Sequence, residues 1–186
     1  MTCVGWAVAY AHLSTQQNIN MGITNPYQKN SRAMDPMFLY AYLRKGDDKW
    51  CQKGTKMIGA MEVLRRFGTK PIFSKPWLKC NSIVQIDKFS KAQASNYRIT
   101  DYHPIVKNIN AIKMALNNKE LISIGAMLTE SFHKDNILYG GLWNPKLSPK
   151  VIGGHAMCVI GYDDSKFGGA FEVMNSYGSN FADNGY

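Results

Sequence analysis

The chain has 186 residues, 45% of them apolar and 12% aromatic, which is enough for one sizeable core and argues against a disordered chain. Its net charge of +9 comes from 22 Lys and Arg that are scattered rather than gathered into a run, which argues against a nucleic-acid partner. Apolar stretches such as Ile122 to Leu128 fall well short of the roughly 20 residues that span a bilayer, so no membrane insertion is expected.

In chain order, Thr2 is placed to cap a helix whose Val4, Ala7, Val8 and Ala11 make one apolar stripe, which puts Cys3 in the first helical turn. Asp35 and Pro36 supply a cap and a first-turn proline for a second helix through Leu43. Residues 55–67 read as a third, stopped by Gly68. Up to about residue 96 the chain is mostly helix and loop. Residues 97–105 then alternate enough for a strand, 108–117 read as a short helix, and 121–128 as an apolar strand. Two further strands, 155–162 and 171–176, are joined by the turn-forming D-D-S-K-F-G-G. A helical first half and a β-rich second half make an α+β pattern.

A thiol is a good nucleophile only as thiolate, and its pKa is lowered by the N–H groups of a helix N-terminus and by a neighbouring imidazolium. Cys3 has the first by position. His155, flanked by Gly153 and Gly154 that allow close backbone approach, is the candidate for the second. Asn175, ending the F-E-V-M-N strand, is placed to hold the other nitrogen of that imidazole. Singly, a cysteine or a strand histidine is more often structural; the order and context of the three carry the case. The four cysteines include no C-x-x-C pair and the four histidines no zinc-ligand spacing, so no metal and no cofactor is expected. Cys158, inside an alternating strand, reads as a small buried hydrophobe.

The segment G-G-H-A-M-C-V-I-G-Y-D-D is similar to the histidine motif of papain-like cysteine proteases. N-S-Y-G-S-N-F-A-D-N-G-Y is similar to the same family's asparagine motif, and C-V-G-W-A to the cysteine-helix start of its bacterial members. The resemblance runs nearly end to end. It implies a single two-lobed α+β domain, with a helical lobe over 1–96, an antiparallel β-barrel lobe over 97–186 and an active cleft between them. It implies peptide-bond hydrolysis through an acyl-enzyme, with Cys3 as nucleophile, His155 as acid and base, and Asn175 as orienting group. By the same resemblance, the backbone at Lys53 and Gly54 pairs with the bound peptide. Gly154, Ala156 and Met127 are expected to line the substrate pocket, and Tyr177 to shield the His155–Asn175 bond. The implied partner is a peptide or protein substrate, with a propeptide or inhibitor as another occupant of the cleft, in a secreted or extracytoplasmic protein.

Four departures from the family pattern accompany this. Only Met1 and Thr2 precede Cys3, whereas relatives place a glutamine there whose amide helps form the oxyanion hole. The chain stops at Tyr186 where relatives continue, so it is expected to be trimmed at both ends. Tyr177 stands where relatives carry tryptophan, and the cysteine usual three positions before the nucleophile is absent. That last departure leaves open whether Cys51 and Cys80 pair with each other or stay reduced. Two other functions stay in play: a non-catalytic papain-fold protein that binds peptides or a partner, and a relative that transfers acyl groups or deamidates glutamine.

Overall fold

The computed structural model describes residues 1–44, 46, 48, 50–72, 86–132 and 141–186. The chain opens with α1 (Cys3–Gly5), passes without a break through a π-helical segment (Trp6–Leu13) and ends its first helical run in α2 (Ser14–Asn20). Thr2 does not cap it: its side chain makes no capping bond, and only its carbonyl accepts, from Trp6 N–H at 3.2 Å. The run is driven by burial instead. Val4, Ala7, Val8, Ala9 and Leu13 all enter the main core, together with Leu39 and Leu64. Gly5 is required here by space, because a Cβ at this position would stand 2.4 Å from the Pro36 carbonyl oxygen.

The predicted helix after Asp35 is α4 (Pro36–Leu43), preceded by the short α3 (Pro26–Ser31). Asp35 caps α4 through one carboxylate oxygen that accepts from Met37 and Phe38 N–H. The next helix, α5 (Met57–Arg66), ends where Gly68 adopts a φ of +78°. Further along come α6 (Lys88–Ala94) and α7 (Ile109–Asn117), the latter capped by Asn108.

Three antiparallel strands follow, in the order β1 (Ile122–Thr129), β2 (Val151–Asp163) and β3 (Ala170–Met174), with β2 in the middle. The chain therefore combines helices with an antiparallel sheet, as expected. The expected barrel is not closed: among the described residues the sheet has three strands and two edges. The strand expected at 97–105 is also not formed. That segment begins in a 3₁₀ turn (Ser95–Tyr97) and continues as extended chain pairing with no strand. Tyr97 and Ile99 lean on the helical core, and Ile99 N–H donates to the Leu64 carbonyl at 3.3 Å. The alternation there records one-sided burial of a loop, without a β-partner.

Side-chain alternation along β2 sets what each face of the sheet does. Ala156 and Cys158 face the first helical run, meeting Val4, Ala7 and Val8 in one cluster and Ala11 in another. His155 and Met157 point the other way, Met157 into a second core with Leu128 and Phe132. Ser123, on β1, closes the helix side through a 2.8 Å hydrogen bond with His12 Nδ1.

Candidate active site

Cys3 begins α1, where first-turn N–H groups have no intrahelical acceptor. His155 lies at the centre of β2, opposite Ala126 of β1. The helix packs on the sheet through Ala156, the residue after His155, and this contact brings thiol and imidazole together. The thiol faces the His155 side chain and the backbone of Ala156 and of Val4. The His155 side chain holds the thiol below its ordinary pKa; partial burial works against that shift but does not cancel it.

His155 is buried, at 8% exposure. Burial is the largest single influence on its imidazole and pushes its pKa down, yet the Cys3 and Asn175 side chains together outweigh it and the net shift is upward. The opposite displacements of the two groups are what a thiolate–imidazolium pair requires. Cys158 gives the contrast: buried in apolar surroundings with no such partner, its thiol is pushed up to about 12.

Asn175 stands just past the end of β3, and its Oδ1 lies 2.8 Å from His155 Nε2. The same oxygen accepts Ser176 N–H at 2.7 Å, and the Asn175 backbone N–H donates to the Gly185 carbonyl at 2.9 Å, so the residue is held through its side-chain oxygen and its backbone. Aromatic rings surround the pair. Tyr177 lies 5.1 Å from the His155 ring at 32°, and Phe132 lies 6.4 Å from it at 64°. Phe132 also meets Trp143, Tyr177 and Phe181. Phe132 and Phe181 were not singled out in the sequence; the only signal for Phe132 is an aromatic three residues after a strand.

The remaining sequence-derived residues fall in different places. Gly154 is exposed and pairs with Met127, itself 61% exposed, so these two form an open wall next to His155. Ala156 is 4% exposed and belongs to the core, touching the site through its backbone at Cys3 and offering little surface to a ligand. Lys53 and Gly54 are both exposed, on the loop leading into α5. Cys51 is disulfide-bonded, which settles its redox state, while Cys80 lies outside the described residues. A cavity of about 650 Å³ opens on the sheet face carrying Met157, lined by Ile124, Met157, Val173 and Phe181 among others. Asn175 borders it; Cys3 and His155 do not. Among the described residues no group of three or more His, Cys, Asp or Glu is arranged to hold a metal.

Comparison with known proteins agrees with this geometry. The model of the family described as papain family cysteine protease matches residues 3–186. An uncharacterized peptidase C1-like protein of Acanthamoeba polyphaga mimivirus is 38% identical over 79 residues, 42% of this chain. The match spans only a quarter of that relative's length, 25%. Xylellain, a cysteine protease from Xylella fastidiosa, is 22% identical and superposes with a TM-score of 0.79 over 100% of this chain and 71% of its own, a likeness of fold.

Proposed function

Since the chain belongs to the papain family of cysteine proteases, matched over residues 3–186, we propose that it hydrolyses peptide bonds in peptide or protein substrates through Cys3, His155 and Asn175. One observation carries the reading: Asn175 Oδ1 holds His155 Nε2 at 2.8 Å while the Cys3 thiol, at a helix start, faces the same imidazole, and the thiol and imidazole pKa values are displaced in opposite directions. That arrangement favours the thiolate nucleophile and the imidazolium acid over the neutral pair.

The chemistry follows from which atoms are already committed. Nε2 of His155 donates to Asn175 Oδ1, which fixes the ring and leaves Nδ1 for the thiol. The Cys3 thiolate attacks the scissile carbonyl carbon, and the carbonyl π electrons move to oxygen. The first-turn N–H of Cys3 can donate to that oxyanion. His155 Nδ1–H then gives its proton to the leaving amine as the C–N bond breaks, leaving a thioester and a neutral imidazole. His155 next takes a proton from water, the resulting hydroxide adds to the thioester carbonyl, and the C–S bond breaks to release the acid and restore the ion pair. Asn175 orients without reacting, and Tyr177, beside the imidazole, keeps water from the Nε2–Oδ1 bond. Gly54, exposed and without a side chain, supplies backbone to the bound peptide, and Gly154 with Met127 forms the wall beside His155. A propeptide or inhibitor would take the same cleft as an uncleaved peptide.

The disulfide-bonded state of Cys51 supports a secreted or extracytoplasmic location, since such bonds persist in oxidising compartments. The functional reading is tested by cleavage of a fluorogenic peptide and by alkylation. Cys3→Ala and His155→Ala should each abolish cleavage, Asn175→Ala should leave a measurable remainder, and iodoacetamide at pH 6 should label Cys3 far faster than Cys158. Equal labelling of the two thiols, or an active His155→Ala, would remove the nucleophile and base assignments.

A further inference from the structure

Beneath the loop that ends at Gly54 lies a buried carboxylate that the chemistry above does not use. Asp48 is 4% exposed, Tyr40 is fully buried at 0%, and Cys51 is 3% exposed. Tyr40, Met37 and Cys51 form one apolar cluster, so the disulfide-bonded cysteine anchors the middle of the loop from below. Asp48 Oδ1 accepts Gln52 N–H at 2.9 Å, and its Oδ2 accepts Lys53 N–H at 3.2 Å. The Tyr40 hydroxyl lies 2.5 Å from Asp48 Oδ2 and 2.8 Å from the Lys53 carbonyl oxygen. The bond from Tyr40, followed by the loop amides, holds the Asp48 carboxyl below the ordinary carboxylate range.

The Lys53 N–H is thus turned inward to Asp48, and the Lys53 carbonyl lies 2.8 Å from the Tyr40 hydroxyl, whose single proton faces both that oxygen and Asp48 Oδ2. Gly54 comes next. A Cβ built there would meet only the Met1 sulfur, at 3.9 Å, so the space beside this glycine is open. It directly follows Lys53, whose N–H is bonded to Asp48, in a loop that the Met1 amino group also ties down at the Cys51 carbonyl. We propose that Asp48 is a positioning residue for peptide binding: it fixes loop 51–54 from below so that the Gly54 backbone is presented outward to substrate. This rests on the reading that Gly54 pairs with the bound peptide. It also gives a physical reason for tolerating a side chain at Lys53. The backbone at 53 is spent on the scaffold, and only position 54 must admit close approach.

The test measures peptide hydrolysis by the full chain carrying Asp48→Ala, Asp48→Asn or Tyr40→Phe, beside hydrolysis of p-nitrophenyl acetate, an ester too short to reach the loop. Asp48→Ala should raise KM for the peptide about tenfold, the equivalent of one charge-assisted hydrogen bond. Its kcat, its turnover of p-nitrophenyl acetate and the rate of Cys3 alkylation should stay within about twofold of wild type. Asp48→Asn, which keeps one acceptor oxygen, should raise KM less. If Asp48→Ala fails to fold, Tyr40→Phe keeps the buried ring and should produce a smaller KM rise of the same kind. A folded set with unchanged KM overturns the proposal, as does a parallel fall in peptide and ester hydrolysis. Fluorescence anisotropy of a labelled peptide on the Cys3→Ala background reads the loop without chemistry. Weakened binding there in Cys3→Ala/Asp48→Ala supports the loop assignment even if the protein cuts nothing, so failure of the peptidase reading and failure of this one are separable.

Discussion

His12 is a titratable switch on the stability of the whole site. It lies in the π-helical segment that continues from Cys3, and its Nδ1 hydrogen-bonds the Ser123 hydroxyl of β1 at 2.8 Å. Burial pushes its imidazole from 6.5 to about 4, so the folded protein keeps it neutral across a range where the unfolded chain protonates it. A folded pKa below the unfolded one for a base means that protons bind preferentially to the unfolded state. Stability is therefore complete above about pH 6.5, falls as the pH drops through the interval, and levels off near pH 4. At about 1.4 kcal/mol per unit the interval amounts to roughly 3 kcal/mol, a large part of the margin of an ordinary domain. Urea unfolding of wild type and His12→Gln between pH 7 and pH 4 isolates the contribution, since glutamine can keep a bond to Ser123 but does not titrate. Wild type should lose roughly 3 kcal/mol more than the variant over that range. Parallel stability curves for the two proteins would refute the reasoning, and with it the claim that the helix–sheet contact depends on a neutral His12.

The displaced pair predicts a bell-shaped pH dependence of peptide kcat/KM: the acid limb follows protonation of the Cys3 thiolate, below the ordinary thiol range, and the alkaline limb follows loss of the His155 proton, above the ordinary imidazole range. Cys3 alkylation should follow the acid limb alone, and a rate that rises only near pH 9 would contradict it. Gly54→Ala has open space for its methyl, so its urea midpoint should stay near wild type while peptide kcat/KM falls about tenfold from the blocked backbone approach; an unchanged kcat/KM would take Gly54 out of the binding surface. Phe132→Ala, which empties a site 3% exposed among four aromatic neighbours, should cost about 3–5 kcal/mol of unfolding free energy, and a loss under about 1 kcal/mol would mean the cluster collapses to fill the gap.

What could be read from the sequence was whatever depends on neighbours in the chain. Asp35 before Pro36 signals a helix start by capping chemistry that is complete within four residues, and the helix begins there; the helix read over 108–117 forms as Ile109–Asn117. The strands read at 121–128, 155–162 and 171–176 form at Ile122–Thr129, Val151–Asp163 and Ala170–Met174, the middle one starting four residues earlier than its sequence pattern showed. Features that depend on distant contacts were not legible. The 97–105 segment alternates because one side rests on the helical core, a pattern indistinguishable in sequence from a strand with a partner. The π-helical winding of Trp6–Leu13 leaves no compositional trace, since an apolar stripe reads much the same at either helical pitch. Nothing in the sequence distinguishes Asp48, which is enclosed by Tyr40, eight residues away, and by the amides of the loop. The three residues expected to carry chemistry stand in recognisable motifs, and so does Tyr177 beside His155. Phe181 lies within the asparagine motif without being distinguished there, and Phe132 lies outside any motif.

The placement of His155 on the middle strand has a consequence for how the protein should fail on heating. β2 is bonded on both sides, to β1 and to β3, whereas Cys3 sits at the extreme end of a helix whose cap residue contributes only its carbonyl. Amide hydrogen exchange should accordingly be slowest around Met157–Val159 and fast at the first turn holding Cys3. The thiol end can fray while the imidazole end remains locked in its ladder. Inactivation should therefore run ahead of global melting, as a reversible loss of thiolate reactivity in molecules whose sheet is still intact.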